Sequence, residues 1–442
     1  MKAIIAPGVT DMNKGDQALV WESHRLAMDT GLFQEVCIIS NGDTPEERRK
    51  LCSQSEARGF KIIDNILKHP RRGKHNENEV VRESLFSFLR LVMFAVYDFL
   101  RLSFLLLICR KAKLVRLFFD AKTSRTVDIF RSSDVVFIKG GGFIHAYGER
   151  TAPYLIWFFL FYVRLGLALG KKVVFLPNSY GPFEGATVAN QVKCVFSGLT
   201  KTYAREQLSA DKLGKLLGKN IPVSPDLGFY LEKADDAAAN AILEKYGLAH
   251  EKRMVGITIR PWRFPGMQHP DRLYENYLNA VDRLVNFLLE KGYKVVFCNQ
   301  SIGPNAHEDD RNAIRELYSR RKDSGIVWID EDLPCDVLKA VYAKFYAFVG
   351  TRFHSVIFSL TSKIPSIAIG YGGNKAKGIM TDFKLDNFTI PIHEVKESHL
   401  ISMFQEIENS HAAIEHQLQA TITLLDQKRM QIIRDLQQAL HP

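Results

Sequence analysis

The sequence predicts an α/β protein built from two doubly wound, parallel-sheet domains that face one another, and three observations carry that expectation. Short β-branched apolar runs alternate with longer helical stretches, the pattern of parallel strands joined by crossovers. The series runs twice, with the polar, Ala-rich stretch Glu232–Arg253 between the two rounds. Residues able to do chemistry gather just after the strands, where open parallel sheets take their ligands.

In the first round the apolar runs Lys2–Ala6, Glu35–Ser40, Asp134–Gly142, Lys172–Ser179 and Lys201–Arg205 alternate with helical stretches such as Asp16–Asp29 and Tyr154–Leu169. The stretch Tyr154–Gly170 is apolar nearly all round but short and broken by Arg164, which favours a buried core helix over a membrane span. The second round supplies strands at Met254–Arg260, Lys294–Gln300, Ile326–Asp330, Ala347–Gly350 and Ser366–Tyr371. Amphipathic helices fall between them at Asp271–Lys291, Asp309–Arg321 and Asp336–Lys344. The expected division is residues 1–232 for the first domain, 233–395 for the second, and a helical tail over 396–442 that crosses back onto the first domain.

The 442 residues are 46% hydrophobic, ample for two cores. Six scattered cysteines without CxxC spacing or nearby histidine partners argue against a disulfide framework and a zinc site, and fit a reducing, cytoplasmic setting. The opening "MKAIIAPG" is too short an apolar run for a signal peptide and reads as a first strand. Most of the net charge of +10 is local: Phe60–Arg125 holds fourteen Lys and Arg against six Asp and Glu, hence +8. Within this insertion of the first domain lies the apolar run Ser84–Cys109, flanked by Arg71–Lys74 and Arg110–Arg116. Arg90, Asp98 and Arg101 interrupt it, and each charge near a bilayer centre costs about 2.5–3.5 kcal/mol. The expectation is a helix or helical hairpin lying at a membrane surface through residues 84–116, with a buried interdomain or dimer helix as the alternative. Nucleic acid is disfavoured, since these basic residues accompany long aliphatic side chains and no recognisable nucleic-acid module.

The strand ends hold the candidate site. After the first strand, Asn13, Gly15 and Asp16 open a helix; Asp16 is either a first-turn carboxylate favoured by the helix dipole or a base. Lys139–Gly142 matches neither a dinucleotide fingerprint nor a Walker loop, but its glycines allow close backbone approach to a ligand beside His145. Arg205 and Arg260 follow later strands and read either as ion-pairing residues or as ligands to an anion. In Val349–Phe358 a strand stops at Gly350, and Arg352 and His354 occupy the turn into an apolar helix. Free N–H groups and the helix dipole make such a turn an anion site; arginine adds a planar fork and histidine a proton donor. A solvated Arg and a core His would be the bland outcome. The Gly-rich turn after Tyr371, with Lys375 and Lys377, adds further positive charge.

Taken together, Gly350–His354, the strand "IPSIAIGY" with Lys375 beyond it, "NKGDQA" (Asn13–Ala18), Gly140–Gly142, "NSYGPF", "AREQLSADKL" and "SPDLGF" (Ser224–Phe229) make the chain resemble the polysaccharide pyruvyl transferase family over nearly its whole length. Thr351 and Phe353 stand where Met and Leu are more usual, and the Phe60–Arg125 block is long for the family pattern. The resemblance implies two facing Rossmann-like domains similar to GT-B glycosyltransferases. It also implies transfer of pyruvate from phosphoenolpyruvate, as a ketal, to a sugar of a cell-surface polysaccharide. On this resemblance His354 is the general acid, Asp16 the base, and Arg352, Arg205, Lys375 and Arg260 hold the donor. Asn13, Gly141, Gly142 and His145 fall to the acceptor side, and no metal or other cofactor is implied. The basic apolar block makes a lipid-linked acceptor an expectation alongside a soluble one, with the protein cytoplasmic or peripheral at the inner face of the membrane. Two alternatives stay open from sequence: a GT-B glycosyltransferase using a nucleotide sugar, and a non-catalytic scaffold of a polysaccharide assembly complex.

Overall fold

The computed structural model describes residues 1–69, 85–321, 325–371 and 375–441, without the side chains of 85–87, 375 and 376. The first sheet contains β1 (Lys2–Ala6), β2 (Glu35–Ile39), β3 (Lys61–Ile63), β4 (Val135–Ile138), β5 (Gly141–Tyr147), β6 (Lys172–Glu184) and β7 (Lys201–Ala204). Its order is β3-β2-β1-β4-β6, and β5 and β7 also pair with β6, every pair parallel. Ile138 lies opposite Phe175 and Gly141 opposite Asn178, so β4 and β5 keep one register along β6 across the Lys139–Gly140 break. The second sheet contains β8 (Met254–Thr258), β9 (Lys294–Cys298), β10 (Ile326–Ile329), β11 (Ala347–Gly350), β12 (Ser366–Gly370) and β13 (Thr389–Pro391), all parallel in the order β10-β9-β8-β11-β12-β13. Each sheet reverses its strand order beside its first strand, between β1 and β4 and between β8 and β11. These are the switch points at which a doubly wound sheet opens a crevice.

The strands are apolar because both faces are covered. In β1, Ala3 and Ile5 join a core that includes helix Lys14–Asp29 and continues into the second domain, while Ile4 and Ala6 pack on the opposite side of the sheet. One apolar core therefore runs across the seam between the domains. Polar groups reinforce it: Lys14 N donates to Gln300 O at 3.0 Å, Ile302 N to Met12 O at 2.8 Å, and Cys335 N to Gln17 Oε1 at 2.8 Å. The buried Lys14 ammonium also reaches Gln54 at 3.0 Å and Asp332. The helix Glu397–Leu440 packs on helix Pro270–Glu290 and returns to the first domain, where Asp435 accepts from Lys201 at 2.8 Å and Tyr203 at 2.6 Å.

One local expectation needs correction and a second is narrowed to one of its alternatives. The apolar stretch after Tyr154 is two helices, Ala152–Phe159 and Phe161–Ala168, broken at Leu160. The apolar block forms one helix, Leu85–Ile108, followed by Ala112–Phe118 and Ala121–Ser132; it is neither a hairpin nor a buried interdomain helix. Leu102 and Leu105 anchor it on the first domain, while Leu89, Met93, Leu100 and Leu107 stand exposed. Its N-terminal flank Arg71–Lys74 lies outside the described residues.

Candidate functional site

The two switch points face each other across a cavity of about 220 Å³. Asn13, Asp16, Gly141, Gly142 and Arg205 line it from the first domain; Gly350–His354, Gly370 and Tyr371 line it from the second. The helix Phe353–Leu360 starts here with Arg352 at its N-cap and no side chain capping it, so its first N–H groups and the positive end of its dipole open toward the cavity.

His354 is held by the opposite domain. A Cβ added to Gly15 would come within 2.1 Å of its Nδ1, and one added to Gly228 within 2.8 Å of its Cδ2. Only glycine lets both backbones approach the ring so closely. Asp226 Oδ1 lies 3.5 Å from His354 Nε2, a nitrogen that is buried and makes no hydrogen bond. The same carboxylate accepts from Gly228 N at 2.8 Å and from Arg205 Nη1 at 2.7 Å. Burial pushes the Asp226 carboxyl up, but the imidazole and the Arg205 guanidinium outweigh it and hold it well below the usual carboxylate range. Arg205 also donates Nε to Ser179 Oγ at 2.7 Å and stands over the Phe353 ring. It is thus a buried ion-pairing residue that nonetheless lines the cavity.

Arg352 departs from the expected open anion fork. It is buried, with Nε donating to Asp310 Oδ1 at 2.8 Å, Nη1 to Glu308 Oε2 at 2.7 Å and Nη2 to Glu308 O at 2.8 Å. Its fork is occupied by protein carboxylates because Asp310 sits fully buried at a helix start and needs a cation. Arg260 does not line the cavity; it reaches Glu308 at 3.3 Å and lies against the ring of Tyr371, which does. Asp16 caps nothing: its Oδ1 accepts from the buried Lys139 at 3.0 Å. Burial raises the Asp16 carboxyl, while Lys139, His354 and Arg205 bring it below its ordinary value. Asn13 spends its side-chain oxygen on Gly15 N and Asp16 N, so its carboxamide oxygen is a helix cap at the cavity edge. Gly141 and Gly142 line the cavity by backbone, whereas His145 is exposed on β5, bonded to Gly142 O at 2.9 Å and outside the lining. Lys375 begins helix Lys375–Asp382; its side chain lies outside the described residues.

Sequence reasoning passed over Lys139, Asp226, Glu308 and Asp310. A lysine preceding three glycines and an aspartate inside "SPDLGF" were visible as motif members, but their partners are remote in sequence. Glu308 and Asp310 read simply as the acidic start of a helix.

Two Rossmann-like domains facing one another across a cavity, the GT-B architecture, are the class that this fold defines. The chain belongs to the polysaccharide pyruvyl transferase family, whose sequence model matches residues 13–373. It is similar to the amylovoran biosynthesis protein AmsJ of Erwinia amylovora, 26% identical over 300 residues that cover 66% of this chain and 69% of that protein. Among solved structures it is similar to S. aureus MnaA with UDP (TM-score 0.55, 11% identity, 94% of this chain and 90% of that one). It is also similar to Anabaena HepE with UDP-glucose (TM-score 0.52, 11% identity, 99% of each chain). A third is UGT73P12 of Glycyrrhiza uralensis (TM-score 0.57, 9% identity, 99% and 96%). At such identities these likenesses speak for the fold alone.

Proposed function

We propose that the protein transfers pyruvate from phosphoenolpyruvate to a sugar of a cell-surface polysaccharide or its lipid-linked precursor, closing a ketal. The observation that supports this reading most is the placement of His354 in a small cavity, at an uncapped helix start, clasped by two glycines and a carboxylate of the opposite domain. The donor carries a phosphate of about −2 and a carboxylate. Arg205 and the N–H groups of helix Phe353–Leu360 meet it, with Lys375 at the start of the helix Lys375–Asp382. Arg352 and Arg260 act one step back: both pair with Glu308, and Arg260 lies against Tyr371 at the cavity wall.

His354 protonates the methylene carbon, which makes C2 electrophilic and leaves the C–O bond to phosphate ready to break. A first sugar hydroxyl adds at C2 as its proton passes to the ionised Asp16. A second displaces phosphate as its proton returns to the now neutral His354, giving a methyl-bearing ketal carbon bonded to two sugar oxygens and a carboxylate. Asp226 positions His354, and the two sugar hydroxyls approach past Gly141 and Gly142. The same reading sets the enzyme at the inner face of the membrane, its exposed apolar helix Leu85–Ile108 toward lipid.

The test is incubation with phosphoenolpyruvate and candidate oligosaccharides, soluble and lipid-linked, with mass analysis for added pyruvate and assay of released phosphate. In parallel, phosphoenolpyruvate raises the melting temperature by mass action. Protection by UDP-glucose with none by phosphoenolpyruvate would turn the assignment to a glycosyltransferase.

A further inference from the structure

The helix Leu85–Ile108 carries an apolar face and an adjoining apolar flank. Leu89, Met93, Val96, Leu100, Phe104 and Leu107 recur every three or four residues as an outer stripe, with Leu107 83% exposed. The window Phe88–Ile108 is long and apolar enough to cross a membrane, with mean hydropathy 2.1. The helix is nevertheless tied to the first domain: Phe99 lies 4.8 Å from the ring of Trp157, and Arg101 pairs with Asp120 at 3.1 Å. It therefore lies along the domain with its stripe facing outward, the habit of an interfacial helix.

A flank adjoining the stripe, Val92 and Phe99 with the shared Val96, forms one wall of a groove of about 680 Å³ whose other wall holds Tyr154 and Trp157. Two cations enter this apolar groove, Arg150 and Arg164, and neither has a carboxylate partner among the described residues. Arg164 gives Nη2 to Gln191 at 3.2 Å, while its Nε is buried with no acceptor. An apolar trough ending in unpaired guanidinium groups complements one kind of molecule, an amphiphile with a hydrocarbon chain and a phosphate. The groove lies within reach of the cavity along the chain. β5 leaves Gly141 and Gly142 at the cavity and leads to Arg150, so the two are no more than about 26 Å apart at ~3.3 Å per residue. His145 and the exposed Tyr147 stand along that path with their rings 5.4 Å apart.

We propose that this groove is a lipid-phosphate subsite: a chain lies against Val96, Phe99 and Trp157, its phosphate at Arg150 and Arg164, and the attached glycan runs along β5 to His354. The inference rests on the membrane-side reading of the acceptor given above. Full-length protein is mixed with vesicles of phosphatidylglycerol diluted in phosphatidylcholine, or of phosphatidylcholine alone, and sedimented. Binding about tenfold stronger to the anionic vesicles is expected. Phosphatidylglycerol brominated along its chain should quench tryptophan fluorescence, and Trp157→Phe should remove most of that quenching. Arg150→Gln and Val96→Asp, both at exposed positions, should weaken binding about fivefold or more with unchanged melting temperature, and Arg150→Lys should restore it. Wild-type protein that binds neither vesicle, or that is a dimer with no affinity for lipid, overturns the membrane-side reading and this subsite with it. Wild-type binding that all these variants retain, with quenching intact in Trp157→Phe, or equal binding to both vesicles, overturns the subsite alone. Neither result touches pyruvyl transfer to a soluble oligosaccharide, which is measured separately.

Discussion

Gly15 of the first domain and His354 of the second share a single space, since a methyl group on Gly15 would sit 2.1 Å from the imidazole Nδ1. The helix Lys14–Asp29 tolerates alanine at its start, so the substitution acts on the ring and not on the helix. Gly15→Ala should lower turnover about 100-fold, the scale on which a general acid is lost. Adding it to His354→Ala should cost nothing further, because both changes remove one function. Steady-state rates of the two single variants and the double variant decide this, and full additivity would mean that Gly15 serves something other than the histidine.

Arg352→Lys separates a structural from a ligand-binding arginine. Lysine cannot reproduce the fork that meets Asp310 and both the carboxylate and the backbone carbonyl of Glu308. Lysine keeps the charge, so the cost is that of the lost charge-assisted hydrogen bonds, about 1.5–3 kcal/mol each. The expected result is a clear fall in melting temperature together with loss of activity. An unchanged melting temperature with a raised KM for phosphoenolpyruvate would return Arg352 to direct donor contact.

Much of this was legible in the sequence, for a physical reason. Parallel strands are buried on both faces and advertise themselves as apolar runs, so β1, β2, β8, β9 and β11 were plain. β3 and β13 have three residues each and little room for a pattern. The strand-end rule brought Asp16, Arg205, Arg352 and His354 to one cavity. It could not say which cations would be neutralised by protein, because Asp226 and Glu308 lie far along the chain from the side chains they pair with. The helix Leu85–Ile108 was readable as apolar and charged at its flanks, yet which of its faces meets the domain depends on Leu102 and Leu105 finding a partner surface.

Asp226 gives stability a definite acid limb. Its carboxyl titrates well below its value of 3.8 in an unfolded chain. Between those values the unfolded state binds the extra proton, so stability increases with pH there and is fully present above about pH 4. It drains away as pH falls below that. Asp226→Asn should flatten this limb in urea unfolding followed from pH 2 to 7. It should also lower stability near neutrality, because the buried Arg205 then keeps only Glu206, at 3.4 Å, as an ionic partner. An acid limb identical to wild type would remove Asp226 from the interactions that keep the site folded.

Lys139 and Asp16 supply the last test, which concerns the proposed base. The ammonium of Lys139 is nearly buried and lies 3.0 Å from Asp16 Oδ1, and among the influences that lower that carboxyl it is the largest. Lys139→Met keeps most of the side-chain volume and removes the charge. Burial then acts on Asp16 with only the more distant His354 and Arg205 opposing it, so its pKa rises. If an ionised Asp16 accepts the sugar proton, the acid limb of kcat moves to higher pH by the same amount. At neutral pH turnover then falls less than in Asp16→Asn, which has no ionised form to recover. Raising the pH should restore much of the Lys139→Met rate while leaving Asp16→Asn inactive. A Lys139→Met variant equally impaired at every pH, with a raised KM for phosphoenolpyruvate, would instead assign Lys139 to the donor and leave the hydroxyl proton to another group.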